Sequence, residues 1–420
     1  MKEITYTAGQ EAGSVLFGQF YLDRFEHVML LKGFSGTGKS TLVQRLQREI
    51  AKLDEMCKML HPNYTPYEVV FTATTNQAAE SLATSMGFTH DVSTIHKFLG
   101  LRVRTTDYVK QTKELHATRK EKRERYLIFI DECSYIDVKL MRLIMQETVD
   151  CKIVFIGDHA QLKPVGASYM PAFAMDKNQI ELTELVRFDD GPISNMVSAL
   201  RRTVLEGVWP NFSDFIAPGV IEKVDRATFT QLTHEAFRGD NPMGRAKILA
   251  YTNDCVIGYN NRLTQALLGT NDPQPGQIMI NNEECSQGNT RIPNNIEVQI
   301  EEVEVTERYG FPGWWVKMRN TGPAFFMPRN CRQAKKDAHS RAVAIDDYDM
   351  MRDVVDSWID LRPAFACTVN KSQGSTYDTS FIDLGNIVSM VRGGDALART
   401  LYVGCSRARS RMYFTGDVQG

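Results

Sequence analysis

A chain of 420 residues with 43% hydrophobic and 24% charged residues exceeds one typical core and points to two or three soluble globular domains. Its net charge of −2 argues neither for nor against nucleic acid, so a polyanion site has to be a local groove. No apolar run is long enough to span a bilayer, the first residues lack a signal-peptide core, and the eight cysteines show no Cys-x-x-Cys spacing, which argues against a zinc site or a disulfide framework.

The first predicted element is a helix after Thr7, a plausible cap, with apolar positions Val15, Leu16 and Phe20. Gln10 at its start offers a donor and an acceptor that suit an adenine edge, although an exposed helix-start glutamine is the commoner case. Val28, Met29, Leu30 and Leu31 then read as a buried strand. It feeds Gly33-Phe34-Ser35-Gly36-Thr37-Gly38-Lys39-Ser40 and a helix through Leu42, Val43, Leu46 and Ile50. Strand, glycine-rich turn and helix is the context of a P-loop. The glycines let backbone N–H groups wrap phosphate oxygens, Lys39 reaches the β- and γ-phosphates, and Ser40 offers a hydroxyl to Mg²⁺. Gly36, Thr37, Gly38, Lys39, Ser40 and Thr41 are therefore candidate nucleotide contacts. This motif alone says only that a nucleotide phosphate is bound.

Val69 to Ala73 reads as a strand running into Thr74, Thr75, Asn76 and Gln77, and Ser93-Thr94-Ile95-His96 repeats that pattern. Small hydroxyl and amide side chains at a strand end can hold a phosphate, and they can equally cap a helix. Residues 101–125 change character, with Arg102, Arg104 and Lys110 around Tyr108 and a dense charge run at 119–125. An inserted hairpin or helix touching nucleic acid and a solvated connection fit this stretch equally well. Tyr126 to Ile130 is continuously apolar and ends in Asp131-Glu132, as expected of a central parallel strand delivering two carboxylates to a sheet edge. Asp131 can hold Mg²⁺, and Glu132 can accept a proton from attacking water. A further apolar strand, Ile153 to Ile156, delivers Gln161 to the same edge as a γ-phosphate sensor, with His159 beside it as a structural residue.

A second unit begins near 188, with a strand at Ile248 to Tyr251 leading to Thr252-Asn253 and a helix. From 271 to 360 short alternating runs, with turns at Asn294-Asn295 and Tyr309-Gly310, suggest a small β-barrel followed by helix. Ala364 to Cys367 returns to strand character ahead of Thr368-Val369-Asn370-Lys371-Ser372-Gln373-Gly374-Ser375-Thr376, and the chain closes on Leu401-Tyr402-Val403-Gly404-Cys405-Ser406-Arg407-Ala408-Arg409.

Taken together and in this order, these motifs resemble the superfamily-one B-type helicases of the RecD and phage Dda kind. The likeness to the Dda type is strongest at 93–96, 182–187, 250–253 and 401–409. The resemblance implies an α/β fold of two RecA-like P-loop NTPase lobes, with a small hairpin inserted in the first and an SH3-like β-barrel in the second. The implied units are 1–98 with 126–187, the insertion 99–125, then 188–270 with 361–420, and the barrel with helical extension 271–360. It implies an ATP-dependent DNA helicase using ATP and Mg²⁺ and moving 5′ to 3′ in phage-type replication or recombination. Its expected partners are single-stranded DNA and forked duplex, with a single-strand-binding protein or other replication proteins as further candidates. A monomer in the cytoplasm (the host's, if phage-encoded) and no membrane partner follow.

Residue by residue, the resemblance makes Gln10 the adenine reader, Lys39 and Ser40 the phosphate and Mg²⁺ ligands, and Asp131 and Glu132 the metal-holding acid and the base. Gln161 becomes the sensor, and Arg187 and Arg407 two arginine fingers. Gly374 and Tyr251 join the nucleotide contacts. Thr75, Asn76, Thr94, His96, Thr368, Asn370 and Ser375 face the strand, and Tyr108 stands as the wedge aromatic. Asn370 replaces the family's histidine and Thr74 its proline, and the stretch 330–360 is shorter than the family's insertion, which implies a reduced or missing bridge between units. A DNA-stimulated ATPase that remodels protein–DNA complexes, a subunit of a larger assembly and an RNA substrate remain alternatives.

Overall fold

The computed structural model describes residues 5–34, 36–87, 92–164, 166–184, 191–238 and 245–417. The first lobe is built on a six-stranded parallel sheet. Its strands run, from edge to edge, Gln179–Leu182, Val28–Gly33, Lys152–Gly157, Tyr126–Asp131, Glu68–Ala73 and Ser93–Thr94. The central strands are apolar along their whole length because both faces are covered. One face packs Phe17, Phe20, Leu42 and Leu46 of helices Ala8–Leu22 and Lys39–Leu60. The other packs Ile95, Phe98, Leu140 and Ile144 of helices Ile95–Leu99 and Val138–Gln146.

The second lobe repeats the plan on five parallel strands, ordered Ile221–Lys223, Ala408–Thr415, Tyr377–Asp383, Ala246–Ala250 and Ala366–Thr368. Helices Pro192–Glu206 and Gly394–Cys405 cover one face and Asn253–Leu268 the other.

Two antiparallel insertions complete the molecule. Leu101–Asp107 and Thr112–Ala117 form a hairpin. Phe325–Pro328, Phe311–Met318, Glu297–Arg308, Ile278–Asn281 and Leu361–Pro363 form a five-stranded sheet in that order, with Cys285–Gln287 and Thr290–Ile292 as a small hairpin sharing its core. Strand Leu361–Pro363, assigned from sequence to the second lobe, pairs with Ile278–Asn281, so the inserted sheet runs past residue 360. Helices Cys331–Ala344 and Tyr348–Asp356 pack beside it around Trp358. No helix among the described residues is long and apolar enough to cross a membrane, and all eight cysteines are free thiols.

Candidate nucleotide cleft and strand groove

The P-loop turn depends on its glycines. Gly36 and Gly38 have φ of 88° and 78°, in the left-handed region. A Cβ on Gly33 would lie 2.7 Å from the Thr37 hydroxyl and 3.1 Å from Leu182 Cβ. Thr37 is buried and donates its hydroxyl to the Phe34 carbonyl at 2.9 Å. The Lys39 ammonium donates to the carbonyls of Gly33 at 2.7 Å and Phe34 at 3.0 Å, so it is folded over the loop. Ser40 is exposed and Thr41 half-buried on the first helical turn. Gln10 stands beside this loop and is fully buried. Its amide nitrogen donates to the Gly38 carbonyl at 3.2 Å, and its oxygen accepts from the Thr7 N–H in a capping box. The amide supports the P-loop from below rather than lying open to a base.

Asp131 ends the central strand, and its Oδ1 accepts from the Glu132 N–H at 2.8 Å. Glu132 has φ 53°, a left-handed conformation unusual for glutamate, which turns its carboxylate off the strand axis. Burial and the neighbouring Asp131 push the Glu132 carboxyl up to about 7, opposed by the positive charges of Arg407 and Lys39. Burial likewise raises Asp131, with Lys39 opposing. Lys39, Asp131, Glu132 and Arg407 therefore feel one another across a single cleft. Glu132 Oε2 is buried without a hydrogen-bond partner among the described residues. An orphaned carboxylate oxygen beside hard oxygen donors on Asp131 and Ser40 fits a site for Mg²⁺ and a water.

Arg407 comes from the second lobe and is 6% exposed. It donates to Val403 O at 3.0 Å, to Ser375 O at 3.1 Å and to Ser406 Oγ at 2.7 Å. Gln161 of the first lobe accepts from Ser134 Oγ at 3.2 Å and from the amide of Gln373, a second-lobe residue. Around it the lobes are tied by Tyr402 OH donating to Asp158 at 2.5 Å and by Arg399 donating to the carbonyls of His159 at 2.6 Å and Gln161 at 2.9 Å. Ser375 Oγ donates to Gln77 at 3.0 Å. Arg201 stacks on the P-loop ring of Phe34, 3.4 Å from its centroid. Sequence reasoning missed Ser134, Asp158, Gln373, Arg399, Tyr402 and Arg201. Gln373 lay inside a motif already singled out, whereas Arg201 had only helical periodicity around it.

Above this cleft lies a groove of about 660 Å³. Thr75, Asn76, Thr94 and His96 of the first lobe, the hairpin base at Arg102, and Asn370, Lys371 and Gln373 of the second lobe line it. Thr75, Thr94 and Thr368 each cap a helix, accepting from the N–H groups of Ala78, Lys97 and Lys371 at 3.2–3.3 Å. Capping uses the hydroxyl oxygen as acceptor and leaves its proton to donate. The two readings of these threonines are thus compatible. Thr252 caps Asn253–Leu268 in the same way, a second-lobe counterpart of Thr75.

Several expected positions fall elsewhere. Tyr108 is not a free wedge. Its hydroxyl donates to Asp356 at 2.7 Å, its ring meets Tyr348 edge-on at 5.3 Å, and its carbonyl lies 2.6 Å from His339 Nε2. The same contacts overturn the expectation of a reduced bridge, because the hairpin tip docks on helices 331–356. The Tyr251 N–H donates to Asn386 Oδ1 in the second lobe at 2.8 Å. Gly374, with φ +82°, packs close to the first lobe, where a Cβ would meet Ala78 Cβ at 3.5 Å. Arg187 and Ser35 lie outside the described residues.

A family model described as an AAA domain matches residues 20–209. The solved structure of two coordinating Pif1 helicases unwinding forked DNA aligns over 98% of this chain and 92% of its own, at 16% identity and a TM-score of 0.50. The Bacteroides Pif1 helicase in complex with ADP-AlF3 and ssDNA aligns over 100% and 94%, at 14% identity and the same TM-score. The chain shares its fold with these Pif1 structures. Among curated sequences, RecD of the Buchnera aphidicola RecBCD enzyme is 25% identical over 187 residues, 40% of this chain and 28% of that one. An uncharacterized protein of Acanthamoeba polyphaga mimivirus is 24% identical over 239 residues, 53% and 46%. The chain thus spans less than half the length of either curated relative.

Proposed function

We propose that this chain is an ATP-dependent DNA helicase that moves 5′ to 3′ on single-stranded DNA and separates duplex in phage-type replication or recombination. One observation carries the reading. Gln373 lines the strand groove and at the same time bonds Gln161, which lies at the nucleotide cleft, so the two sites share a buried contact. The RecD relative and the Pif1 structures, one in complex with ADP-AlF3 and ssDNA and one with forked DNA, support it.

ATP supplies the phosphoanhydride and Mg²⁺ neutralises charge on its phosphates when bound. Lys39, bonded here to the Gly33 and Phe34 carbonyls, would turn to the β- and γ-phosphate oxygens, and Ser40 and Asp131 would hold the metal. Glu132, whose outer oxygen has no other partner, takes the proton of the attacking water. Arg407 moves with the second lobe, to whose atoms it is bonded, and faces the charge that develops on the transferring phosphoryl group. Arg187 is read as the second finger. Gln161 senses the γ-phosphate and passes its loss to Gln373 and the groove. Thr75, Thr94 and Thr368 donate hydroxyl protons to strand phosphates, one lobe gripping while the other releases. We read 99–125 as the strand-separating insertion and 271–363 as an SH3-like barrel with a helical extension.

Steady-state ATP hydrolysis with and without an oligothymidylate tests this assignment. Hydrolysis stimulated by the strand and abolished by Lys39→Ala is expected. Hydrolysis insensitive to the strand, or retained in Lys39→Ala, contradicts it.

A further inference from the structure

The groove contains a residue that a polyanion site should exclude. Its lysines and arginines are Lys97, Arg102, Arg291 and Lys371, and Glu284 is the one carboxylate among the described lining residues. Glu284 is bonded to Arg291, Nη2 to Oε2, at 2.5 Å. Both stand on or beside the small hairpin Cys285–Gln287 and Thr290–Ile292 of the inserted unit. Cys285 and Ile292 are 2% and 3% exposed and anchor that hairpin in the sheet core. Arg291, one residue before Ile292, points to the opposite face by strand alternation, and that face meets the groove. The anchor fixes where the guanidinium can reach, in the groove that Thr94 and His96 also line.

We propose that Arg291 is a strand-phosphate ligand that Glu284 holds until DNA arrives, so that this ion pair sets how tightly the groove retains the strand. The proposal rests on reading the groove as a single-strand site. A carboxylate and a phosphate diester present the same two-oxygen face to a guanidinium, and Arg291 can serve only one of them in full. In the empty groove Glu284 satisfies Arg291 and cancels its own charge. When a phosphate takes the guanidinium, the Glu284–Arg291 pair has to be given up, and that competition opposes retention. The pair is 39% and 34% exposed, so solvent screens it and the exchange costs little. A motor that must release the strand at every step gains from such a brake on affinity.

The test is fluorescence anisotropy of a labelled oligothymidylate with the full chain, without nucleotide, across a salt series. The proteins are wild type, Glu284→Gln, Arg291→Ala and the double variant, each checked for an unchanged thermal melt. Glu284→Gln should bind about two- to fivefold tighter, the size of an exposed ion pair. Arg291→Ala should bind more weakly and lower the salt slope by about 0.7. The double variant should match Arg291→Ala, because Glu284 acts through Arg291. Equal or weaker binding by Glu284→Gln overturns the proposal, and so does a full gain from Glu284→Gln in the Arg291→Ala background. Wild-type protein that does not bind the strand at all overturns the groove reading on which it rests.

Discussion

Gln373 of the second lobe donates its side-chain amide to the Gln161 side-chain oxygen of the first, and both are buried. Ser134 joins them, taking the Gln373 amide at 3.0 Å and donating to Gln161 at 3.2 Å. Three uncharged polar groups buried between two lobes form a contact that is costly to leave broken. Gln373→Ala leaves a buried acceptor on Gln161 without its amide. About 1–3 kcal/mol is lost, equivalent to roughly 5- to 150-fold in an equilibrium between lobe arrangements. The expected outcome is near-normal ATP hydrolysis without DNA and a large loss of stimulation by single strand, read in one steady-state assay.

Arg407 carries a separate prediction. It spends its donors on Val403, Ser406 and Ser375, all in its own lobe, so its removal leaves first-lobe phosphate ligands in place. Arg407→Ala should bind a fluorescent ATP analogue normally and lose about 10³–10⁵ in turnover, the scale of an arginine finger. Turnover within tenfold of wild type would show that another group stabilises the transition state.

Tyr108 predicts a division between motor and strand separation. An isolated two-stranded hairpin is marginal in water, and this one is tied down at its tip by Asp356, Tyr348 and His339. Tyr108→Ala should free the tip, leave strand-stimulated hydrolysis intact and cut duplex separation at least several-fold. Tyr108→Phe keeps the ring contact and removes only the hydroxyl, so its loss should be smaller. Parallel hydrolysis and unwinding assays on both variants check this.

His96 gives a pH dependence. Burial holds its imidazole below the usual value near 6.5, with Asp137 opposing. It is therefore neutral at pH 7, and proton uptake on lowering the pH is favoured when strand phosphates are near. Strand affinity should be flat from pH 8 to about 6.5 and rise by roughly two- to fivefold below that, the scale of one exposed charge contact. His96→Gln should flatten the rise. A fall in wild-type affinity over that range would be the opposite sign and would remove His96 from the groove.

The order of motifs made the two-lobe plan legible, because each is a strand end and parallel sheets place strand ends along one edge. Asp131, Glu132, Gln161 and Lys39 could be read from that rule, whereas Arg407, between helix Gly394–Cys405 and strand Ala408–Thr415, came only from the resemblance. Local sequence could not say which side chains close the seam. Gln373, Arg399 and Tyr402 act across more than two hundred residues of separation, and nothing in their neighbours' spacing encodes that pairing. Tyr108 failed for a related reason. An aromatic among basic residues suggests nucleic acid, but its surroundings are set by helices 331–356, which the local pattern does not reveal. Tyr251 directly follows the strand Ala246–Ala250, as its pattern implied, and its N–H donates to Asn386 of the second lobe, a pairing that the local pattern does not reveal.

The most direct test is unwinding of forked duplexes carrying a 5′ or a 3′ single-stranded tail, with ATP hydrolysis followed in the same reaction. Strand separation that needs ATP and occurs only with the 5′ tail is the expected result. Separation only from the 3′ tail would contradict the proposed direction. Strand-stimulated hydrolysis without separation on either tail would contradict the helicase assignment and leave a translocase that remodels protein–DNA complexes.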